Sequence, residues 1–192
     1  MFSNDELKAL IAGEMIGAIY PYSSRNELEV EHYLKRLVAE LKREKIQVIE
    51  VPANFGSGYA SYFEWCCYED EHVTVYEDED TRTVEIEGLA VAISRLAPVV
   101  LIGRMNRSDT YLKDGKSLNG GRTFFSQPSD LHIEPAFRLL VQRLERLFMK
   151  YQYTILRTED VSCPIPFQAD IPTTLREKRD YLVWDAIFYW ED

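Results

Sequence analysis

Few residues in this chain have the type and spacing that catalysis requires. Its histidines are His32, His72 and His132, and its cysteines are Cys66, Cys67 and Cys163. Nucleophilic catalysis needs a nucleophile with a base in reach. No histidine stands in an HExxH pattern and there is no GxSxG elbow. A triad would have to join Cys66 or Cys163 to a histidine distant in sequence. Adjacent Cys66 and Cys67 point to opposite faces if they lie on a strand, which makes them a poor pair of metal ligands. Three cysteines without a spaced framework also argue against a disulfide scaffold.

Other ligand chemistries find equally little. Asp109 with Asp114, or the run Glu69-Asp70-Glu71, offers carboxylates, but neither follows the calcium-loop pattern of alternating acids around a glycine. The phosphate fingerprints GxGxxG and GxxxxGK[ST] are missing. We therefore expect neither a cofactor nor a metal. Gly120-Gly121-Arg122-Thr123 would suit an anion held by backbone N–H groups. The same stretch reads as a hairpin turn, since Asn119-Gly120 is a favoured turn dipeptide. If the segment 104–132 did build a site, Arg104, Arg107, Arg122 and His132 would surround an anionic group, as in a small enzyme or anion-binding domain.

Charge is the feature that stands out. The chain of 192 residues has a net charge of −10. Between Glu64 and Glu87 there are ten acids and a single base, Arg82, so that stretch carries −9. Tyr59, Tyr62, Tyr68 and Tyr76 lie within or beside it. Tyrosines near charge are frequent interface anchors, because they offer area at little rotamer cost. One reading is a hairpin that engages a basic protein through Glu77, Asp78, Glu79, Asp80, Tyr68 and Tyr76. The other is an edge hairpin whose charges block aggregation. An acidic surface repels phosphate backbones and anionic lipids, so nucleic acid and membrane are not expected partners. No apolar run approaches the roughly 18–20 residues of a membrane span. The N-terminus lacks the basic region of a secretory signal, so a cytoplasmic location is expected.

The elements that would position these residues can be read from periodicity. Ser3 with Glu6 forms a capping-box pattern, and Leu7, Leu10, Ile11 and Met15 continue a helix toward Pro21. A second helix starts near Ser23–Asn26 and carries Leu28, Tyr33, Leu34, Leu37, Val38 and Leu41 on one face through about Lys45. A strand follows over 46–51, then a loop at Pro52 and Asn54–Gly58. Period-two alternation begins at Tyr59 and recurs over 72–76 and 81–87, predicting three strands joined by two tight turns, an antiparallel meander over about 59–87. Gly88–Ala97 reads as a short helix ended by Pro98, and Val99–Gly103 as a buried strand. The segment 106–130 is turn-rich and forms either a hairpin or a long loop. A long helix over about 134–151 follows, opened by Pro135. Tyr153–Leu156 reads as a strand, and Cys163–Pro172 as extended and irregular. Tyr181–Trp190, apolar on both faces, reads as a closing strand central in a sheet. At an edge, that strand would instead support a homodimer.

Apolar residues at 46% and aromatics at 12% exclude disorder. The order of elements predicts one α+β domain over 1–192, with two N-terminal helices and the long helix packed on one face of a mainly antiparallel sheet. The functional expectation is a protein-binding module, such as an immunity-like or antitoxin-like inhibitor of a basic partner. Partner and oligomeric state are not written in the sequence.

Overall fold

The computed structural model describes residues 2–51, 58–123, 126–173 and 176–191. The loop expected at Pro52 and Asn54–Gly58 lies outside them except for Gly58, as do residues 124–125 of the turn-rich segment.

The fold is α+β around a seven-stranded, mostly antiparallel sheet. The strands are β1 (Gln47–Val51), β2 (Tyr62–Tyr68), β3 (Val73–Glu77), β4 (Thr81–Ser94), β5 (Val99–Leu112), β6 (Ser117–Arg122) and β7 (Thr154–Ile155). They run in the order β1-β2-β4-β5-β6, with β3 paired to β4 and the short β7 parallel to β5. The helices are α1 (Asn4–Ile11), α2 (Glu27–Arg43), α3 (Arg138–Lys150), α4 (Thr158–Val161) and α5 (Val183–Ile187).

Strand alternation divides the core between the two faces of the sheet. Trp65, Cys67, Leu89, Val91, Ile93, Val100 and Ile102 point to one face, where Leu34, Leu37 and Leu41 of α2 and Leu140, Leu144 and Phe148 of α3 cover them. Tyr62, Cys66, Ala90, Ala92, Leu101 and Met105 point to the other, beneath Leu7 and Leu10 of α1 and Trp184, Ala186 and Ile187 of α5. Helices therefore cover both faces and not one as expected, because alternating apolar residues of the central strands leave both sides to be buried. The expected split of Cys66 and Cys67 follows from the same alternation.

Local chemistry accounts for the helix ends. Ser3 and Glu6 form the capping box that starts α1. The helix stops after Ile11, earlier than the apolar spacing suggests, because Gly13 takes a left-handed φ of 74°. Met15 then packs with the α2/α3 core while Ile16 joins the α1/α5 core, so the chain crosses the sheet there. Asn26 caps α2 by accepting from the Leu28 amide at 3.0 Å.

Three segments differ from expectation. Residues 88–97 do not form a helix: β4 runs on through Ser94. Its alternating Leu89, Val91, Ile93 and Ala90, Ala92 serve opposite faces, and short apolar runs do not reveal their period. Residues 181–190 are not a strand, since α5 occupies 183–187. The Leu182 amide donates to Asp185 Oδ2 at 2.8 Å and fixes that helix start. Trp184 and Phe188 are buried between α1 and the sheet, so this segment supplies no edge for a dimer. Finally, Asp70–His72 is a 3-10 turn and does not reverse the chain. β2 and β3 follow one another along the same side of β4, β2 pairing with 89–94 and β3 with 82–86. Gly88 marks the junction. A Cβ there would lie 2.6 Å from the Cys67 carbonyl oxygen and 3.0 Å from Tyr68 Cβ, so the close passage of β2 requires glycine.

Candidate functional site

Beyond Gly88 the sheet continues as a four-stranded arm, β3-β4-β5-β6, built from 73–77, 81–87, 105–112 and 117–122. Its two faces differ. Val73, Val84, Ile86 and Met105 join the α1/α5 core, so that side of the arm is partly covered. No residue of the arm joins the α2/α3 core. On that side Thr74, Tyr76, Glu85, Glu87, Asn119 and Gly121 are exposed.

The open face is ordered in rows across the strands. Thr74, Glu85, Ser108 and Gly121 form one row, and Tyr76, Thr83, Thr110 and Asn119 the next. The Thr83 and Thr110 hydroxyls hydrogen-bond at 3.0 Å. Tyr76 is 55% exposed. Glu85, Glu87, Asn106, Ser108 and Gly121 line a shallow cleft of about 310 Å³ on the arm. Ile86, Arg107 and Arg122 complete its lining, but their side chains belong to the covered face. The arm from 69 to 88 and from 105 to 122 holds eleven acids and five cationic residues, a net charge of −6.

On the covered face the polar groups satisfy one another. Arg107 grips Asp109 through Nε at 2.5 Å and Nη2 at 3.3 Å. Gly120 makes room for that carboxylate, since a Cβ at 120 would lie 2.5 Å from Asp109 Oδ1. Arg122 Nη1 donates to Glu64 in an ion pair whose side chains are 13% and 6% exposed. Burial pushes the Glu64 carboxyl up, and the guanidinium opposes that shift. Cys66 sits beneath these groups, and burial pushes its thiol up to about 12. A thiol held protonated in this way is no nucleophile near neutrality.

The residues singled out from sequence are dispersed. Tyr68 lies on the covered face against the α1/α5 core, opposite Tyr76. Glu77 pairs with Arg82 at 3.3 Å and Lys113 at 3.6 Å. Asp78 Oδ1 accepts the amides of Asp80 and Thr81 and so holds the β3–β4 turn together. Glu79 and Asp80 are exposed at its tip. Arg104 pairs with Glu134 at 2.6 Å on the open side of β5, whereas Arg107 and Arg122 are neutralised on the covered side. His132 is exposed and follows a 3-10 turn over Pro128–Leu131. The four residues proposed to surround an anion therefore do not converge. Asn119-Gly120-Gly121 lies within β6 and forms no turn; the reversal is at Asp114-Gly115.

The other chemical candidates are also engaged. Glu69, Glu71 and His72 bring ligand atoms within 4.8 Å of one another, but Glu69 is bound by Arg143 and the His72 ring rests on Phe137 with centroids 4.8 Å apart. Asp114 caps the β5–β6 turn, accepting from the Lys116 amide at 3.0 Å. Sequence reasoning missed Glu64 with Arg122, because an ion pair between residues 58 apart leaves no local pattern. It also missed the Glu85, Ser108, Gly121 row, although the alternation of 81–87 already set Glu85 and Glu87 on one face.

No family model matches the chain, and no curated protein or solved structure matches it. No helix among the described residues is long and apolar enough to cross a membrane.

Proposed function

We propose that this chain is a protein-binding module whose four-stranded arm docks on a basic partner. The observation that carries this reading is the contrast between the sheet's two halves. The body is covered by helices on both faces, while the arm leaves one acidic, hydroxyl-rich face with Tyr76 and the Glu85–Glu87 cleft open to solvent. A sheet face that carries mostly polar side chains needs little covering for stability, and its field attracts a cationic surface. In its concrete form the module is an immunity-like or antitoxin-like inhibitor that covers the nucleic-acid-binding cleft of a basic toxin.

The pairing of acids narrows the contact set. Glu64, Glu69, Glu77 and Asp78 are engaged within the fold, so on the open face and at the turn the charge presented to a partner comes from Glu79, Asp80, Glu85 and Glu87, with Asp70 and Glu71 exposed at the base of the arm. The test is association kinetics with the basic partner recovered by this chain. Substituting Glu85 and Glu87 with glutamine should slow association at low salt about tenfold and flatten its salt dependence. Unchanged on-rates would refute the reading.

A further inference from the structure

The arm's acidic face has a counterpart on the same side of the sheet. Helices α2 and α3 lie there, joined where Glu40 holds Lys150 and Tyr151 and where Arg143 reaches Glu44 at 3.6 Å, so they run antiparallel. The segments 27–45 and 134–150 hold seven acids and nine cationic residues. Each of those acids is bonded within the fold: beside Glu40 and Glu44, Glu27 pairs with Arg95, Glu29 with Tyr20, Glu31 with Lys35, Glu134 with Arg104 and Glu145 with Arg157. Arg36, Lys42, Arg43, Lys45, Arg138 and Arg146 are exposed and, among the described residues, form no ion pair. The helix layer therefore presents cations, while the arm, with its net charge of −6, presents Glu85 and Glu87. On the outward stripe of α3, beside Arg138 and Arg146, Leu139 is 72% exposed and Met149 60%.

Shape follows the same division. α2 and α3 raise the body above the sheet by about one helix diameter, ~10 Å, and the arm beyond Gly88 is left as a lower ledge. Two such stepped surfaces interlock when a second copy is turned over by a two-fold rotation, because the ledge of each then receives the helices of the other. Four strands at ~4.8 Å and about six residues at ~3.3 Å give the ledge roughly 400 Å². Reciprocal docking covers a ledge and a matching area of helix on each copy, roughly 800 Å² per protomer, which is the size of a standard stable interface.

We infer that the chain forms a two-fold homodimer in which the acidic arm of each copy lies against the cationic α3 face of the other, Glu85 and Glu87 meeting Arg138 and Arg146, with Tyr76 and Leu139 inside the contact. This goes beyond the proposed function and regulates it. The second copy occupies the face assigned to the basic partner, so partner and dimer exclude one another. Opposite charge on the two sides steers the copies into this arrangement and makes the contact weaken with salt.

Sedimentation velocity of the full chain tests this, with an exchange of charge between the two surfaces. The parent should dimerise reversibly in the micromolar range or tighter. The dimer should be at least tenfold weaker at about 0.5 M than at about 0.05 M salt. Glu85→Lys with Glu87→Lys, or Arg138→Glu with Arg146→Glu, sets like charge against like in both contacts and should leave each variant monomeric. Mixing the two variants should restore a dimer, since one contact then joins the reversed arm to the reversed helix and the other joins parent arm to parent helix. All four side chains are exposed, so both variants should melt within a few degrees of the parent. The milder Glu85→Gln with Glu87→Gln should weaken the dimer several-fold without reversing any charge. A parent that stays monomeric at hundreds of micromolar, a dimer indifferent to both pairs of substitutions, or a mixture that remains monomeric overturns the inference. Growth of the mixture beyond a dimer would mean head-to-tail contact and overturn the two-fold arrangement. None of these results touches the acidic-face reading, which stands or falls with the basic partner's on-rate.

Discussion

Arg122 on β6 reaches Glu64 on β2, so two strands separated in the sheet by β4 and β5 are joined across its covered face. The arm is therefore not a free flap, because its last strand is tied to the body by a buried charge pair. Breaking such a pair from one side leaves an uncompensated charge and typically costs about 3–5 kcal/mol. Arg122→Met should lose stability of that order in urea unfolding at pH 7. Burial already raises the Glu64 pKa, and losing Arg122 raises it further. Below that raised value the folded state holds a proton the unfolded state lacks. The deficit should therefore shrink as the pH falls from 7 to 5, and Arg122→Met with Glu64→Gln should recover most of it. A deficit that stays constant with pH would mean that Glu64 is not the affected group.

Adjacent glycines in β6 should respond differently to the same change. Gly120→Ala drives a Cβ into a carboxylate that Arg107 holds in place, and overpacking of this kind costs about 1–3 kcal/mol. Gly121→Ala enters open space and should fall within about 0.5 kcal/mol of the parent. Denaturant midpoints of the two variants check this. Equal midpoints would contradict the placement of Asp109.

How far the sequence could be read depended on the range of the interaction. Local signals survived: the Ser3–Glu6 capping box, the α2 stripe from Tyr33 to Leu41 and the long helix at 135–150 appear where their residues place them, although Leu28 is exposed and Val30 is the residue buried at that end of α2. Segments 88–97 and 181–190 misled, because residues buried on every side lose the polar positions that reveal a period. Asp185 was the overlooked clue, being a poor strand residue but a good first-turn helix residue. The acidic stretch was legible as composition only. Its pairing with Arg122, Arg143 and Lys113 depends on tertiary approach, and that pairing decides which acids remain for a partner.

The acidic turn illustrates the difference. Asp78 accepts backbone bonds from Thr81 and Asp80, and these hold its carboxyl below the usual range. Its contribution to stability is present above the unfolded carboxylate pKa and is lost as the pH falls through the depressed folded value. Asp78→Asn should lower the melting temperature at pH 7, and the gap should narrow at an acid pH below the unfolded carboxylate range. Glu79→Ser and Asp80→Ser should leave the melting temperature unchanged at both values, because these side chains sit at the exposed tip.

The most direct test of the account measures association between this chain and its basic partner over a range of salt concentrations. The parent would be compared with a variant carrying Glu79→Ser, Asp80→Ser, Glu85→Gln and Glu87→Gln. The account predicts an on-rate at least tenfold lower for the variant at low salt, with the two converging as salt screens the field. Equal on-rates at low salt, or a recovered partner that is itself acidic, would contradict it.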